Sequence, residues 1–354
     1  MASRKTKKLG KFAASCVMTA TLLFSGSASA VSLVYSDHEP LGNMRTTFLN
    51  NVFFKAVNEQ SNGKITIEPH WNGEISISYD ALKTVKDGTK AQIAVVVPEY
   101  SANELPLHQI FKSFPTGPTG QEQVKFFRGV YIEVPELTRE IEAQGLHVIF
   151  IATGYPAAFF SAKPLAGLQS LKGQRWRSAS FWHKDFLANA GAEPVTMPWG
   201  AGVSEALNDG TLDGLIVNID SGYDINAHKV APNVLTSPKL WLGHEYIIAM
   251  NKNAWDGLTD EDRQAIIKAG EISYDRLGAV MDESFLRQIE TLRADNAEVR
   301  LLSDDEVKFW EKSSDYRAAQ EKWTGEQASK GLVSAADVLN RIRRYMENFS
   351  EGGK

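Results

Sequence analysis

The sequence predicts an α/β chain of two lobes, joined by crossing strands and followed by a helical C-terminal region. Three observations carry the prediction. The chain has 354 residues, and at roughly 100–200 residues per domain that length holds about two domains. Hydrophobic residues make up 43% and charged residues 23%, a globular balance with enough apolar material for real cores. Up to Met250, short apolar or alternating runs take turns with helically spaced segments, the order that builds parallel or mixed sheets flanked by helices.

The first thirty residues read as an address. Arg4, Lys5, Lys7, Lys8 and Lys11 precede an apolar stretch from Phe12 to Phe24, and a small-residue run ends in Ala28-Ser29-Ala30. These are the charged, apolar and cleavage regions of a secretory signal peptide, with cleavage expected after Ala30. The apolar stretch is shorter than the ~20 residues that span a bilayer. Cys16, the one cysteine, lies inside it, too close to the charged start for a lipoprotein site. The mature chain therefore has no thiol for a disulfide, nucleophile or metal site.

After the leader, Val31 to Ser36 reads as a strand, and Arg45 to Ser61 as a helix with Phe48, Val52, Phe53 and Val57 on its apolar face, ended by Asn62-Gly63. Lys64 to Pro69 is a half-buried strand, Tyr79 to Lys86 a short helix stopped at Asp87-Gly88, and Gln92 to Val97 an apolar strand bounded by Pro98. Leu146 to Ala152 is a buried strand, and Gly154-Tyr155-Pro156 marks a crossing between lobes. A second α/β set follows: strand 174–178, helix 182–190, strand 191–197, helix 203–207 and strand 215–218, with a further strand at 246–250. Capping patterns at Thr259-x-x-Asp262, Ser303-x-x-Glu306 and Ser334-x-x-Asp337 open the C-terminal helices. The expected division is 31–154 with 238–285 as the first lobe, and 155–237 with 286–354 as the second.

Charge narrows the partners. The leader holds five of the 38 basic residues and no acid, so the mature chain sets 33 basic against 43 acidic groups. So acidic a chain has no general attraction for phosphate backbones or anionic lipid, which argues against nucleic acid. Enzyme signals are weak. Gly200-Ala201-Gly202-Val203-Ser204-Glu205 fits neither a dinucleotide fingerprint nor a nucleophile elbow. The seven histidines form no metal-binding spacing, and Asp209/Asp213 and Asp220/Asp224 read as exposed i, i+4 pairs. No cofactor is implied.

Several segments together resemble the DctP family, the periplasmic solute receptors of TRAP (tripartite ATP-independent periplasmic) transporters. Leu168 to Arg177 looks like that family's "DLKGxKxR" segment, and Ala206 to Gly214 is similar to its "ALxxGxVDG" signature. Leu82 to Thr89 matches the corresponding N-terminal helix and glycine turn. Gly243-His244-Glu245, with Asn251 to Leu258, looks like the later strand and "W-x-x-L" helix start. The matches keep order and spacing over nearly the whole mature chain. The resemblance implies a two-lobed, periplasmic-binding-protein-like fold and a receptor that closes on a small organic carboxylate before delivery to separate membrane subunits.

In that family the arginine closing the signature strand grips the solute's carboxylate, and the matching residue is Arg177. A guanidinium offers a planar fork of donors matched to a carboxylate. Arg175, two residues earlier and expected on the same face, competes for the role. The resemblance also directs Asn218, Trp199, Tyr100 and Glu74 toward the cleft, with His38 and Phe181 as weaker candidates. One departure stands out: a second arginine common in the family is absent from Pro156 to Ala162. Because Trp176, Trp182, Trp199 and Trp241 cluster in sequence, rings stacking on an aromatic or otherwise apolar monocarboxylate enter the expectation. The competing readings are a secreted α/β hydrolase or lyase acting on a small acid, and a solute receptor of another importer or a sensor. Monomer and dimer stay open.

Overall fold

The computed structural model describes residues 1–2, 30–197 and 201–351. Two sheets organise it. In the first, the order is β2 (Ile65–His70), β1 (Val31–Ser36), β3 (Ile93–Val96), β10 (Glu245–Asn251) and β4 (Leu146–Thr153). The strand β1 runs parallel to β2 and β3, whereas β10 runs antiparallel to β3 and β4, with Ile247 opposite both Val96 and Ile151. The second sheet has the order β11 (Glu298–Leu301), β9 (Asn233–Thr236), β5 (Ala157–Ser161), β8 (Gly214–Asn218), β6 (Arg175–Arg177) and β7 (Glu193–Val195). Every residue of β3, β5, β8 and β10 is buried, as expected of strands covered on both faces. The edge strand β2 mixes buried and exposed positions instead.

Both sheets are mixed. The N-terminal βαβαβ order does give parallel pairs, and the later return of β10 supplies the antiparallel ones. The helix expected at 45–61 runs as Met44–Phe48, a π-helical stretch Leu49–Phe53, and Phe54–Gln60. The capping expectations at the C-terminal helices hold for two starts. Thr259 accepts from Asp262 N, and Ser303 with Glu306 forms a complete capping box. The structure adds the helices Gly120–Glu133 and Pro135–Ala143 and the strands β5, β9 and β11, none of which the sequence reading assigned.

Two short segments and one helix join the sheets. Residues 154–156 carry the chain from β4 to β5, and 237–244 return it from β9 to β10. The two segments are bonded to each other: Gly154 N donates to His244 O at 3.3 Å, and Ala157 N to Leu240 O at 3.2 Å. Gly243 has φ +60, and a Cβ there would lie 2.1 Å from Phe111 O, so both its backbone and its surroundings require glycine. The third connection is the 35-residue helix Asp260–Ala294. It packs on β4, Phe54–Gln60 and Gly120–Glu133, then reaches Ile219–Asp224 and β11.

The apolar interior follows these connections rather than the sheets. One large cluster joins Leu33, Ile65 and Val95 with Leu215, Val234 and Phe285; a second joins Phe111, Phe127 and Ile151 with Trp176, Leu235 and Trp310. Each draws on both sheets. The last helix, Ala335–Glu351, packs on Gly120–Glu133 and on the turn Leu107–Ser113.

Candidate functional site

The parallel strands β1, β3, β6 and β8 end around one cavity of about 270 Å³ between the sheets. Strand ends are where open α/β sheets present ligand contacts. His38 and Glu39 follow β1, Glu99 and Tyr100 follow β3, Arg177 closes β6, and Ser221 and Asp224 follow β8. His244 and Tyr246, at the start of β10, complete the wall.

Arg177 is the cation of the second sheet's face. It is 2% exposed, and its Nε and Nη2 donate to Met197 O at 3.2 and 3.0 Å. Burial pulls its pKa below the ordinary arginine value, against the opposing pull of Glu99 and the tyrosines Tyr100 and Tyr79. Arg175 sits differently. Its Nε donates to Asp213 Oδ2 at 3.1 Å and its Nη2 to Gly210 O at 2.6 Å, outside the cavity. Burial alone would raise the Asp213 carboxyl; the Arg175 backbone and guanidinium hold it below its usual range.

The first sheet contributes a buried charge network that the sequence reading missed. Arg45 donates to Asp37 at 2.6 and 3.0 Å and to Glu39 at 2.7 Å, and its guanidinium lies 4.5 Å from the centre of the Tyr246 ring. The Tyr35 hydroxyl donates to Asp37 at 2.5 Å. Beside it, Glu99 pairs with Lys112 at 2.9 Å and with His244 at 3.5 Å. Burial would raise Glu99, but Lys112 and His244 hold it far below the usual carboxylate range. Burial lowers His38, with Asp37 and Glu39 pulling the other way.

The pair Asp220 and Asp224 meets the expectation in part: Asp224 is exposed and Asp220 half-buried, both on the helix Ile219–Asp224, which lines a groove with the segment 42–52 and the helix Asp260–Ala294. Burial, with Glu39 and Asp224 adding to it, pushes Asp220 up to about 8. Burial and Glu39 push Asp224 up to about 6. Asp224 lines the cavity and also an adjoining groove of about 450 Å³ that Asp220 shares.

Asn218 is 1% exposed, and among the described residues neither its Oδ1 nor its Nδ2 has a hydrogen-bond partner. It packs beside the cavity wall: a Cβ added at Gly154 would lie 2.9 Å from Asn218 Nδ2, 2.8 Å from His244 Cβ and 3.3 Å from Tyr246 Cε2. Tyr100 and His38 do line the cavity, their rings 5.9 Å apart, and Tyr79 stands 4.8 Å from Tyr100.

Two sequence candidates fall elsewhere, and a third is not among the described residues. Glu74 points away from the cavity, its side chain 64% exposed and 3.0 Å from His70. Phe181 opens the helix Phe181–Asn189 on the outer side and packs on Trp182 with ring centres 4.9 Å apart. Trp199 lies outside the described residues. The tryptophans Trp176, Trp182 and Trp241 do not line the cavity. Trp176, Trp182 and Trp241 are core residues, and their indole N–H groups donate to Gln174 Oε1, Gln109 O and Phe111 O. A buried indole needs such an acceptor, which the interior supplies. Among the described residues the aromatic side chains lining the cavity are tyrosines and histidines.

Comparison with known proteins gives a consistent family signal. The model for DctP, bacterial extracellular solute-binding protein family 7, matches residues 36–322. The ectoine-binding periplasmic protein TeaA of Halomonas elongata is 24% identical over 331 residues, 90% of this chain and 92% of that protein. A TRAP periplasmic solute-binding protein from Desulfovibrio salexigens superposes with a TM-score of 0.77 at 21% identity, covering 92% of this chain and 98% of that one. A TRAP solute-binding protein from Rhodoferax ferrireducens, in complex with copurified benzoate, gives a TM-score of 0.77 at 17% identity, over 92% of this chain and all of that one.

Proposed function

Because the chain belongs to the DctP family of bacterial extracellular solute-binding proteins, receptors of TRAP transporters rather than enzymes, we propose that it captures a small organic carboxylate in the cavity between its sheets and that Arg177 holds the carboxylate. The observation that carries this reading is the position of Arg177: a buried guanidinium at a cavity wall, while Arg175 is engaged by Asp213. The fork of guanidinium donors suits the two oxygens of a carboxylate. Asn218, Tyr100 and His38 serve as neighbouring contacts.

Membership places the protein outside the cytoplasm. The leader 1–30 is cleaved after Ala30, releasing the receptor into the periplasm. The lobes 31–154 with 238–285, and 155–237 with 286–354, close on the solute about the paired crossings. The closed form is then what the transporter's membrane subunits recognise.

A thermal-shift screen of Val31–Lys354 against carboxylates and their matched amides tests this. A ligand at 100 times its dissociation constant adds about 2.7 kcal/mol, a shift of several degrees at roughly 2–4 °C per kcal/mol. The expected result is a shift with an acid, none with its amide, and none in Arg177→Ala. A shift that survives Arg177→Ala removes Arg177 as the anchor.

A further inference from the structure

With a carboxylate on Arg177, the rest of the cavity presents mostly negative charge. Arg45 is committed to Asp37 and Glu39, and Lys112 to Glu99. That leaves Asp224 and one carboxylate oxygen of Glu39 without a cation. Glu39 Oε2 receives Arg45 and Asn43, while Oε1 has only the His38 ring, 3.9 Å away. Among the described residues, neither Asp220 nor Asp224 forms an ion pair; Asp220 Oδ1 accepts only from Ser221 N at 2.8 Å. Burial raises the carboxyls of Asp220 and Asp224, and the neighbouring Glu39 adds to it. A plain anion entering here would add to that charge in a partly desolvated space, where like charges repel strongly.

A second feature points the same way and does not depend on the acids. The buried amide of Asn218 lacks a partner among the described residues, as do the buried Nδ1 atoms of His38 and His244. Buried polar atoms left unpaired cost stability, and these three stand on or against one cavity wall. They offer both acceptors and donors, more than a lone carboxylate uses. The Tyr246 ring already takes one guanidinium on its face at 4.5 Å, and the Tyr100 ring lines the same space, so the wall suits a cation.

We infer that the solute is a compact zwitterion: a carboxylate for Arg177 and, a few ångströms away, a cationic nitrogen facing Asp224 and Glu39. The inference rests on the carboxylate reading above and narrows it from organic acids in general to those carrying their own positive charge. It also sets aside the plain aromatic or apolar monocarboxylate.

The test is calorimetric titration of Val31–Lys354 with matched pairs: benzoate against N-methylnicotinate, and cyclopentanecarboxylate against proline and N,N-dimethylproline. The carboxamide of each neutral acid serves as control. The nitrogen-bearing member of at least one pair is expected to bind tenfold or more tightly than its partner. Asp224→Asn, a change at an exposed rim position that the fold tolerates, is expected to erase that preference while leaving or improving the plain acid; Asp224→Ser is the second variant. Equal or tighter binding of the plain acids overturns the zwitterion and leaves the carboxylate receptor standing. A zwitterion preference untouched by both Asp224 variants overturns the assignment to this wall. Acids that bind no better than their amides overturn the carboxylate reading and this inference together.

Discussion

Arg175 and Arg177 stand two residues apart on one three-residue strand, yet Arg175 is locked to Asp213 at 3.1 Å while Arg177 ends buried at the cavity, bonded to the carbonyl of Met197. The partner that separates them comes from the "LDG" turn before β8, 38 residues along the chain from Arg175. One arginine is thereby tied to the fold by an ion pair, and the other reaches the cavity wall.

Removing each arginine should separate the roles. Arg177→Ala is expected to weaken carboxylate binding by at least 100-fold, about 2.7 kcal/mol, within the range for losing one partner of a buried charged pair. Arg175→Ala is expected to leave affinity unchanged and cost at most about 1 kcal/mol of stability, since its ion pair is partly exposed. Calorimetry and urea unfolding of the two variants read both quantities.

Asn218→Ala should divide stability from binding in the opposite sense. The wild-type amide is buried without a partner among the described residues, so its removal relieves a penalty of roughly 1–3 kcal/mol as well as losing packing. Unfolding free energy is expected to change by less than about 1 kcal/mol. Affinity for the solute should fall about tenfold, the loss of one hydrogen bond, near 1.4 kcal/mol.

Arg45→Ala is expected to destabilise the protein severely. It would leave Asp37, itself fully buried, without its cation, and breaking a buried pair costs about 3–5 kcal/mol. At roughly 2–4 °C per kcal/mol the melting temperature should drop by about 10 °C. Adding Asp37→Asn to Arg45→Met should restore part of that loss, because the second change removes the stranded charge; differential scanning calorimetry decides it.

The pH dependence follows from Asp220. Its carboxyl is raised in the folded protein to about 8, so the folded state holds a proton that the unfolded state has released. Stability is therefore lost as pH rises through the folded value, by about 1 kcal/mol between pH 7 and 9. The groups facing it sharpen the effect: Glu39 and Asp224 are acidic, and Tyr155 and Tyr246 are neutral there. Buried histidines such as His38, His183 and His244 lie below their ordinary value and act only below about pH 6.5, with the opposite sign. Melting curves at pH 7 and 9 should show the decline in the wild type and a shallower one in Asp220→Asn.

How much of this was readable depends on whether the cause was local. The strands β3, β8 and β10 are unbroken apolar runs bounded by turn residues, and the helix starts at Thr259 and Ser303 carry their own caps, so pattern alone finds them. The helix Gly120–Glu133 carries Val124, Phe127 and Val130 at helical spacing, a signal that a motif-led reading passes over. Arg177, Tyr100 and His38 come within reach through the family resemblance, and each stands at or just past a strand end. Asp220 does not: an i, i+4 acidic pair looks wholly solvated until a helix that starts 40 residues further on lines the same groove and half-buries it. The Arg45 network is likewise a product of tertiary burial, with nothing in its spacing to announce a buried ion triad. The tryptophans show the converse error. Their crowding in sequence suggested a stacking surface, whereas each of the three that are described is claimed by an interior carbonyl or amide oxygen.

The helix Asp260–Ala294 has a mechanical consequence. Its 35 residues extend roughly 50 Å without a break, with one part seated on the first sheet's β4 and the other against β11 of the second. A continuous helix behaves as a beam, so any change in the angle between the sheets bends it or levers one seat loose. Under the proposed closure, opening and closing become sprung motions with a restoring force, and a captured solute would supply the work of flexing that beam.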